Sequence, residues 1–352
     1  INLKMFLKKK NLKKIIMFDN STILDVVNSL NSSTIKIVLI ENKKGIFAGV
    51  INDGDIRRSL LKGYNINSPI KNIINRKCYI SYSEKDTAEK EKILETNKNN
   101  VNHIPIIKKK KIFGLFVIGL EKKNPKRKNN ENVVIMAGGF GKRLGDLTKN
   151  SPKALLKFED KPLIRHIIEN AQNCGFKHFV ISIFYLKKMI KNFFKINPTL
   201  DSNIKFIEEK TPLGTIGSLR LIKKISSNFI LMNCDVITNV DLSEILNFHK
   251  KNKSILTIGI KHFKYKNPYG VIISKNNKFS SFEEKPETDF NINAGIYVLN
   301  SRVIKIIKEK NLKNIEDLIN FLSKNKKKIL TFPIFEEWLD LGQAKNKLRS
   351  FK

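Results

Sequence analysis

Cysteine, tryptophan and acidic side chains are all scarce here: 352 residues include three cysteines, one tryptophan and 32 Asp plus Glu against 67 Lys plus Arg. Cys78, Cys174 and Cys234 are far apart and show no paired spacing. This excludes a disulfide scaffold and a Cys-based zinc site, and it reads as reduced core thiols of a cytoplasmic protein. Long apolar runs are missing too. The stretch from Ile112 to Leu120 reaches about half of the ~20 residues that a membrane-spanning helix needs, so no span is expected. The N-terminus is basic, yet no apolar run with a small-residue cleavage site follows Lys14, so no secretory leader is expected. Hexapeptide repeats are absent, which speaks against a fused acyltransferase.

The shortage of acids leaves a formal net charge of +35. A concentrated basic face would point to a polyanionic partner through counterion release. These lysines are instead spread along the whole chain, with no helix-turn-helix, zinc or aromatic-basic motif, so no specific nucleic-acid partner is expected. The field still favours the gathering of phosphorylated small molecules.

At this length two domains are expected. Residues 121–132, EKKNPKRKNNEN, carry no apolar side chain and cannot join a core, which places a basic linker at 122–131 between domains at 16–121 and 132–352. Before the linker, a pattern of helix, apolar strand, polar turn and strand occurs twice. Ser21 is a candidate helix cap before LDVVNSL, followed by KIVLIENKKGIFAGVI and DIRRSLLKG; the second copy runs from Asp86 through AEKEKILETN to HIPIIKKKKIFGLFVIGL. After it, strand-like and helix-like segments alternate from NVVIMA to NFILMNCD, predicting an α/β sheet with helices on both faces and ligands beyond the strands' C-terminal ends.

Chemistry gathers at those strand ends. NVVIMA runs into Gly138-Gly139-Phe140-Gly141-Lys142-Arg143-Leu144, and Ser151-Pro152-Lys153-Ala154-Leu155 follows closely. Glycines let several backbone N–H groups approach one phosphate, and Arg offers a planar fork to its oxygens. The run is neither a dinucleotide fingerprint nor a P-loop. Asp235 ends NFILMNCD, a position suited to a Mg²⁺-binding carboxylate, while Asp241, before LSEIL, reads as a helix cap.

The pair GGFGKRL and SPKALL resembles the signature of the sugar nucleotidylyltransferase superfamily, with Lys142 in place of the usual Thr and Asp146 where a Pro is common. The resemblance implies a Rossmann-like mixed-sheet domain in which Gly138, Gly139 and Gly141 cradle a nucleoside triphosphate. Arg143 would then hold its β- and γ-phosphates and Lys153 its α-phosphoryl group. It also implies that Asp340, in EEWLDLGQ, joins Asp235 in holding Mg²⁺, with Cys234 standing where the family has Gly. Acceptor recognition is implied for Gly270 in NPYG, Glu284 and Lys285 in FEEKP, and Asn293 in NINAG, with Lys285 neutralising the sugar phosphate. Base selection is implied for Gly214 and Thr215 in TPLGTIGSL, Thr215 opening a helix whose N–H groups face the ligand. That segment looks closer to the guanylyl-transferring branch than to the thymidylyl one.

The N-terminal repeat resembles a tandem CBS-domain pair, a smaller α+β module. Asp55 in GVINDGD stands where that family contacts an adenosine ribose, whereas the second copy has Val117 and Leu120 at the matching places. One regulatory adenosine-nucleotide site per chain and a homo-oligomer are the implied partners. Asp53 and Asp55 also read as a turn followed by a helix cap. Together the two halves resemble glucosamine-1-phosphate and mannose-1-phosphate guanylyltransferases. The alternatives are a thymidylyl- or uridylyl-transferring relative, or a catalytically silent sensor of adenosine nucleotides.

Overall fold

The computed structural model describes residues 4–33, 35–83, 103–118, 128–197 and 203–342. The chain divides into two compact units, Ile1–Lys123 and Asn124–Lys352.

In the N-terminal unit, β1 (Lys4–Lys8), β2 (Ile16–Phe18), β3 (Ile37–Glu41), β4 (Phe47–Asn52), β5 (His103–Lys108) and β6 (Lys111–Ile118) form two three-stranded sheets, ordered β1-β6-β5 and β2-β3-β4. Helix α1 (Ile23–Ser32) precedes β3, and α2 (Asp53–Leu61) follows β4. The sheets share a core in which Leu39 and Val50 pack with Ile107, Ile112 and Leu115. The antiparallel pairs β3–β4 and β5–β6 follow the repeated strand-turn-strand pattern of the sequence. The unit starts before residue 16, because β1 pairs antiparallel with β6 from Lys4↔Ile118 to Lys8↔Gly114. KMFLK is too short and too closely flanked by lysine to show a period. Helix α1 is capped by Thr22 rather than Ser21: Thr22 Oγ1 accepts from Asp25 N, and the Asp25 carboxylate accepts from Thr22 N, a reciprocal capping box. The helix expected over 88–97, Leu120 and linker residues 122–127 lie outside the described residues.

The C-terminal unit runs β7 (Asn129–Met136), β8 (Lys157–Phe158), β9 (Lys161–Pro162), α3 (Leu163–Asn173), β10 (Phe176–Ile183), α4 (Lys187–Ile196), β11 (Asn203–Glu208), β12 (Asn228–Asn233), β13 (Val236–Thr238), α5 (Leu242–Lys251) and β14 (Leu256–Lys266). Then come β15 (Val271–Lys275), β16 (Lys278–Glu283), β17 (Glu287–Asn300), α6 (Arg302–Glu309), α7 (Ile315–Lys324), β18 (Ile329–Pro333) and β19 (Trp338–Asp340). Seven strands form one sheet in the order β11-β10-β7-β12-β17-β14-β18. All are parallel except β17, which is antiparallel to both of its neighbours.

Successive side chains of a strand point to opposite faces, and here each set meets helices. Val133, Ile135, Phe179, Ile181, Ile230 and Met232 share a core with Ile164, Ile167 and Ile168 of α3 and Leu242, Ile245 and Leu246 of α5. Val134, Val180, Phe229 and Leu231 pack with Val303 and Ile307 of α6 and Leu318 and Leu322 of α7. Each fully buried Ile or Leu contributes about 1.5–3 kcal/mol, so a strand buried on both faces reads as an unbroken apolar run. Strand β7 starts inside the stretch read as linker, because Asn129 finds polar partners: its N donates to Gly175 O (3.0 Å) and its Nδ2 to Cys174 O (2.7 Å).

From β7 the chain moves outward to β10 and β11, then returns to β12 on β7's other side. Such a reversal opens a crevice beyond the C-terminal ends of the two strands. Among the described residues no helix is long and apolar enough to cross a membrane.

Candidate active site

Both strands at the reversal release chemistry-bearing segments into a cleft of about 400 Å³. After β7 the backbone turns through residues 138–141, and the Phe140 ring meets Phe184 edge-on at 5.5 Å and Tyr185 at 5.3 Å. Gly141 is left-handed (φ 67°), and a Cβ there would lie 2.7 Å from Thr148 Cγ2, so only glycine fits. The next residues wind as 3₁₀ turns (Lys142–Thr148), kinked at Gly145. The glycine turn is thus held by packing from behind, while Lys142 and Arg143 are exposed and line the cleft.

Opposite this turn Lys153 and Asp235 line the cleft, and Asp340, which is not among the lining residues, converges on them from β19. Lys153 enters on a short 3₁₀ turn after Pro152, and its Nζ is ion-paired with Asp235 Oδ2, with 12% and 9% side-chain exposure respectively. Antiparallel pairing of β13 with β19 sets Val236 opposite Asp340, and Leu341 N donates to Asp235 O (3.0 Å). The three groups nearly fill the space over Gly342: a Cβ there would lie 2.5 Å from Asp235 Oδ2, 2.8 Å from Lys153 Nζ and 2.9 Å from Asp340 Oδ1. Burial first, and the charge of Asp235 second, hold the Asp340 carboxyl above the usual carboxylate range, against the opposing pull of the Gly342 N–H, Lys153 and Arg143. A carboxylate held in this way beside another favours a cation. Among the described residues, no group of three or more His, Cys, Asp or Glu could hold a metal ion. The two neighbouring carboxylates of Asp235 and Asp340 are a donor set that suits Mg²⁺, which takes one or two carboxylates and completes its shell with water and phosphate oxygens. Cys234 is buried and burial pushes its thiol up to about 12, so it is inert filler; its backbone is not left-handed, which is why Cys can stand where the signature has Gly.

The third wall comes from residues 212–215. Gly214 has φ 83°, and a Cβ would lie 2.5 Å from Lys313 O. Thr215 lines the cleft, but it does not open a helix facing the ligand. Ile216 N and Gly217 N both donate to Lys313 O (2.9 and 3.2 Å), and Thr215 Oγ1 accepts from Ile315 N (3.0 Å). These two N–H groups are spent on a crossing segment rather than on the cleft, and the chain then makes only a 3₁₀ turn, Gly217–Leu221. Glu209, which follows β11, was not picked out by its sequence context. It is 4% exposed, lines the cleft, and accepts from Ser182 Oγ (2.7 Å) and Leu213 N (3.0 Å). Asn233 and Asn314 line the same cleft. A polar residue ending a strand at the reversal was the available signal for Asn233; Glu209 follows the edge strand β11 in a Glu-Glu pair and had no such signal.

The residues expected on the acceptor side form a separate group. Gly270, Glu284, Lys285 and Asn293 are not among the residues lining this cleft. Gly270 sits against Phe282 and Glu284, where a Cβ would lie 2.6 Å from the ring and 3.0 Å from Glu284 Oε2. Lys285 is exposed and 3.7 Å from Glu284 Oε1. Asn293 is exposed, donating to Tyr297 Oη (2.6 Å) and accepting from Gly295 N (3.1 Å). Its strand approaches the cleft two residues later, where a Cβ on Gly295 would lie 2.8 Å from Asn233 Nδ2. Trp338 Nε1 donates to Ala294 O (2.9 Å), tying β19 to β17. Asp241 caps α5 through Ser243 N (2.8 Å).

Asp55, in the other unit, is used by its own helix. Its carboxylate accepts from Asn52 N (3.0 Å), its N donates to Asn52 Oδ1 (3.0 Å), and it is ion-paired with Arg58.

Fixed backbone N–H groups, an arginine, and a lysine beside two carboxylates suit the binding of a phosphate chain and displacement at phosphorus, which needs positioning and charge neutralisation more than proton transfer. Comparison with known proteins agrees. Mannose-1-phosphate guanyltransferases of Yarrowia lipolytica and Saccharomyces cerevisiae are each 35% identical over 223 residues, covering 60% of this chain and 61% and 62% of their own lengths. The chain thus spans less than two thirds of those relatives. A crystal structure of HddC from Yersinia pseudotuberculosis aligns with a TM-score of 0.49 at 25% identity, covering 63% of this chain and 100% of that one. The family described as Nucleotidyl transferase matches residues 132–351, and it is to this family that the chain belongs.

Proposed function

We propose that the chain transfers a guanylyl group from GTP to a hexose 1-phosphate, giving a GDP-sugar and pyrophosphate. The observation that carries this reading is the convergence of Lys153, Asp235 and Asp340 over Gly342, across the cleft from a glycine turn ending in Arg143. A phosphate oxygen of the sugar attacks the α-phosphorus, and the bond from that phosphorus to the bridging oxygen breaks, with pyrophosphate taking the electron pair. Residues 138–141 hold the phosphate chain through backbone N–H groups, Arg143 neutralises the β- and γ-phosphates, and Lys153 moves from Asp235 to the α-phosphoryl oxygens. Asp235 and Asp340 would hold Mg²⁺, which when bound would supply further neutralisation of phosphate charge. On the acceptor side Lys285 faces the sugar phosphate, while Gly270, Glu284 and Asn293 contact the sugar.

Guanine is favoured by Glu209, whose carboxylate only accepts hydrogen bonds and lies beside the 213–214 backbone through Leu213 N. Guanine offers it two adjacent N–H donors, uracil and thymine only one. The names of the relatives point the same way. The test is pyrophosphate release across GTP, ATP, UTP and dTTP with mannose 1-phosphate and glucosamine 1-phosphate. GTP is expected to lead the pyrimidine nucleotides by at least about tenfold in kcat/KM, roughly 1.4 kcal/mol. UTP or dTTP as the best donor would remove the guanine reading; no release with any donor would support a silent homologue.

We read the N-terminal unit as a CBS-type pair that assembles the chain into a homo-oligomer. Asp55 is engaged by Asn52 and Arg58, so an adenosine ribose could take it only by displacing Arg58. Unchanged melting of the full chain in millimolar AMP or ATP is expected. A rise abolished by Asp55→Ala would instead establish an effector site, since a ligand that binds only the native state stabilises it.

A further inference from the structure

A second concavity, of about 520 Å³, lies on the C-terminal unit between the segment 220–225 and helix α6. Five of its nine lining residues are cationic, namely Arg220, Lys223, Lys224, Lys305 and Lys308, and none is acidic. Lys and Arg make up 67 of 352 residues in the whole chain, so this surface is about three times richer in cations than the chain's general lysine excess explains. Glu309 offsets one of them, at 3.7 Å from Lys305. Beneath the cations lie Ile222, Ile225 and Ile304.

We propose that this concavity is an anion site for a condensed phosphate group, either free or carried by a nucleotide. Several cations around one hollow match the charge of a diphosphate better than that of a single phosphate, and the isoleucines can take a flat ring attached to it. The site is joined to the nucleotide cleft by short connections. Arg220 Nη1 donates to Asn311 Oδ1 (2.5 Å), and two residues on, Lys313 O receives the N–H groups of Ile216 and Gly217 that hold the 212–215 wall. A ligand that draws Arg220 away from Asn311 loosens this clamp, because the two partners compete for one guanidinium.

The test uses the full chain without Mg²⁺ and two titrants in calorimetry, inorganic pyrophosphate and ADP. One saturable site is expected to weaken at least about tenfold in Lys223→Ser/Lys308→Ser, and to persist in a control, Lys13→Ser/Lys14→Ser, that removes the same charge elsewhere. Binding of both titrants assigns the diphosphate as the recognised group; ADP alone shows that the ring is needed as well. In Arg143→Ala, hydrogen exchange at the Ile216 and Gly217 amides should quicken when the site fills. Titrations identical in the wild type and Lys223→Ser/Lys308→Ser overturn the proposal. The inference rests on the guanylyl-transfer reading only for naming the other phosphate site. Should Arg143→Ala keep every site of the wild type while Lys223→Ser/Lys308→Ser loses one, it is the Arg143 assignment that fails.

Discussion

Asp55 and Asp235 resemble each other closely in local terms. Each follows an apolar strand and an Asn, in VINDGD and MNCD, and each is buried, at 9% and 6% exposure. Their partners differ in origin. Those of Asp55 are Asn52 and Arg58, all within three residues. Asp235 takes Lys153 from 82 positions away and shares the space over Gly342 with Asp340. A carboxylate satisfied by its own helix is explained by that helix. One to which the fold brings both a distant cation and a second acid is held in a costly arrangement that local structure does not require.

The sharpest way to break the comparison is to neutralise Asp235. Asp235→Asn keeps the shape and removes the charge, so turnover is expected to fall by roughly 10² or more, about 2.7 kcal/mol of transition-state stabilisation. Circular dichroism should be unchanged. Near-normal rates in saturating Mg²⁺ would return Asp235 to the same structural class as Asp55.

A smaller change tests the convergence itself. Gly342 is not left-handed, so Ala suits its backbone, but the new methyl must push aside Asp235, Lys153 and Asp340 at their charged ends. Flexible ends move cheaply, so Gly342→Ala should alter stability little. The same displacement misplaces groups that act by position, and turnover should drop roughly tenfold. A variant that melts earlier yet turns over normally would show that these side chains merely pack there.

What could be read from the sequence follows the same division between local and distant causes. The structure lines one cleft with residues 138–143, Lys153 and Asp235, and the sequence singles these out because the first and last follow apolar strands and Lys153 lies in a contiguous motif; the alternating apolar segments determine a sheet covered on both faces. Glu209 was not legible, since its neighbours are Ser182 and Leu213 and a Glu-Glu pair after a strand resembles any solvated edge. The expectation that the N–H groups after Thr215 face a ligand fails because Lys313, almost a hundred residues on, takes those of Ile216 and Gly217. Strand β1 escaped notice because its pairing with β6 supplies an order that its five residues cannot express alone.

The mildest prediction concerns Asp55, and it tests the other side of the comparison. Asp55→Ala removes the carboxylate that accepts from Asn52 N in the capping box at the start of α2 and the ion pair with Arg58, whose side chain is 62% exposed, while the bond from the backbone N of residue 55 to Asn52 Oδ1 remains. An exposed partner contributes little, so most of the loss is the reciprocal bond to Asn52 N, about 1 kcal/mol. Asp55→Asn retains an acceptor for Asn52 N and should recover part of it. Because the chain has two units, the loss should appear in thermal unfolding as an earlier transition of the N-terminal unit, with the later transition unmoved. Turnover should match the wild type, since nothing at Asp55 reaches a reacting atom. If Asp55→Ala slowed nucleotidyl transfer without lowering either transition, its local hydrogen bonds would not account for it, and Asp55 would have to be regarded as a functional residue.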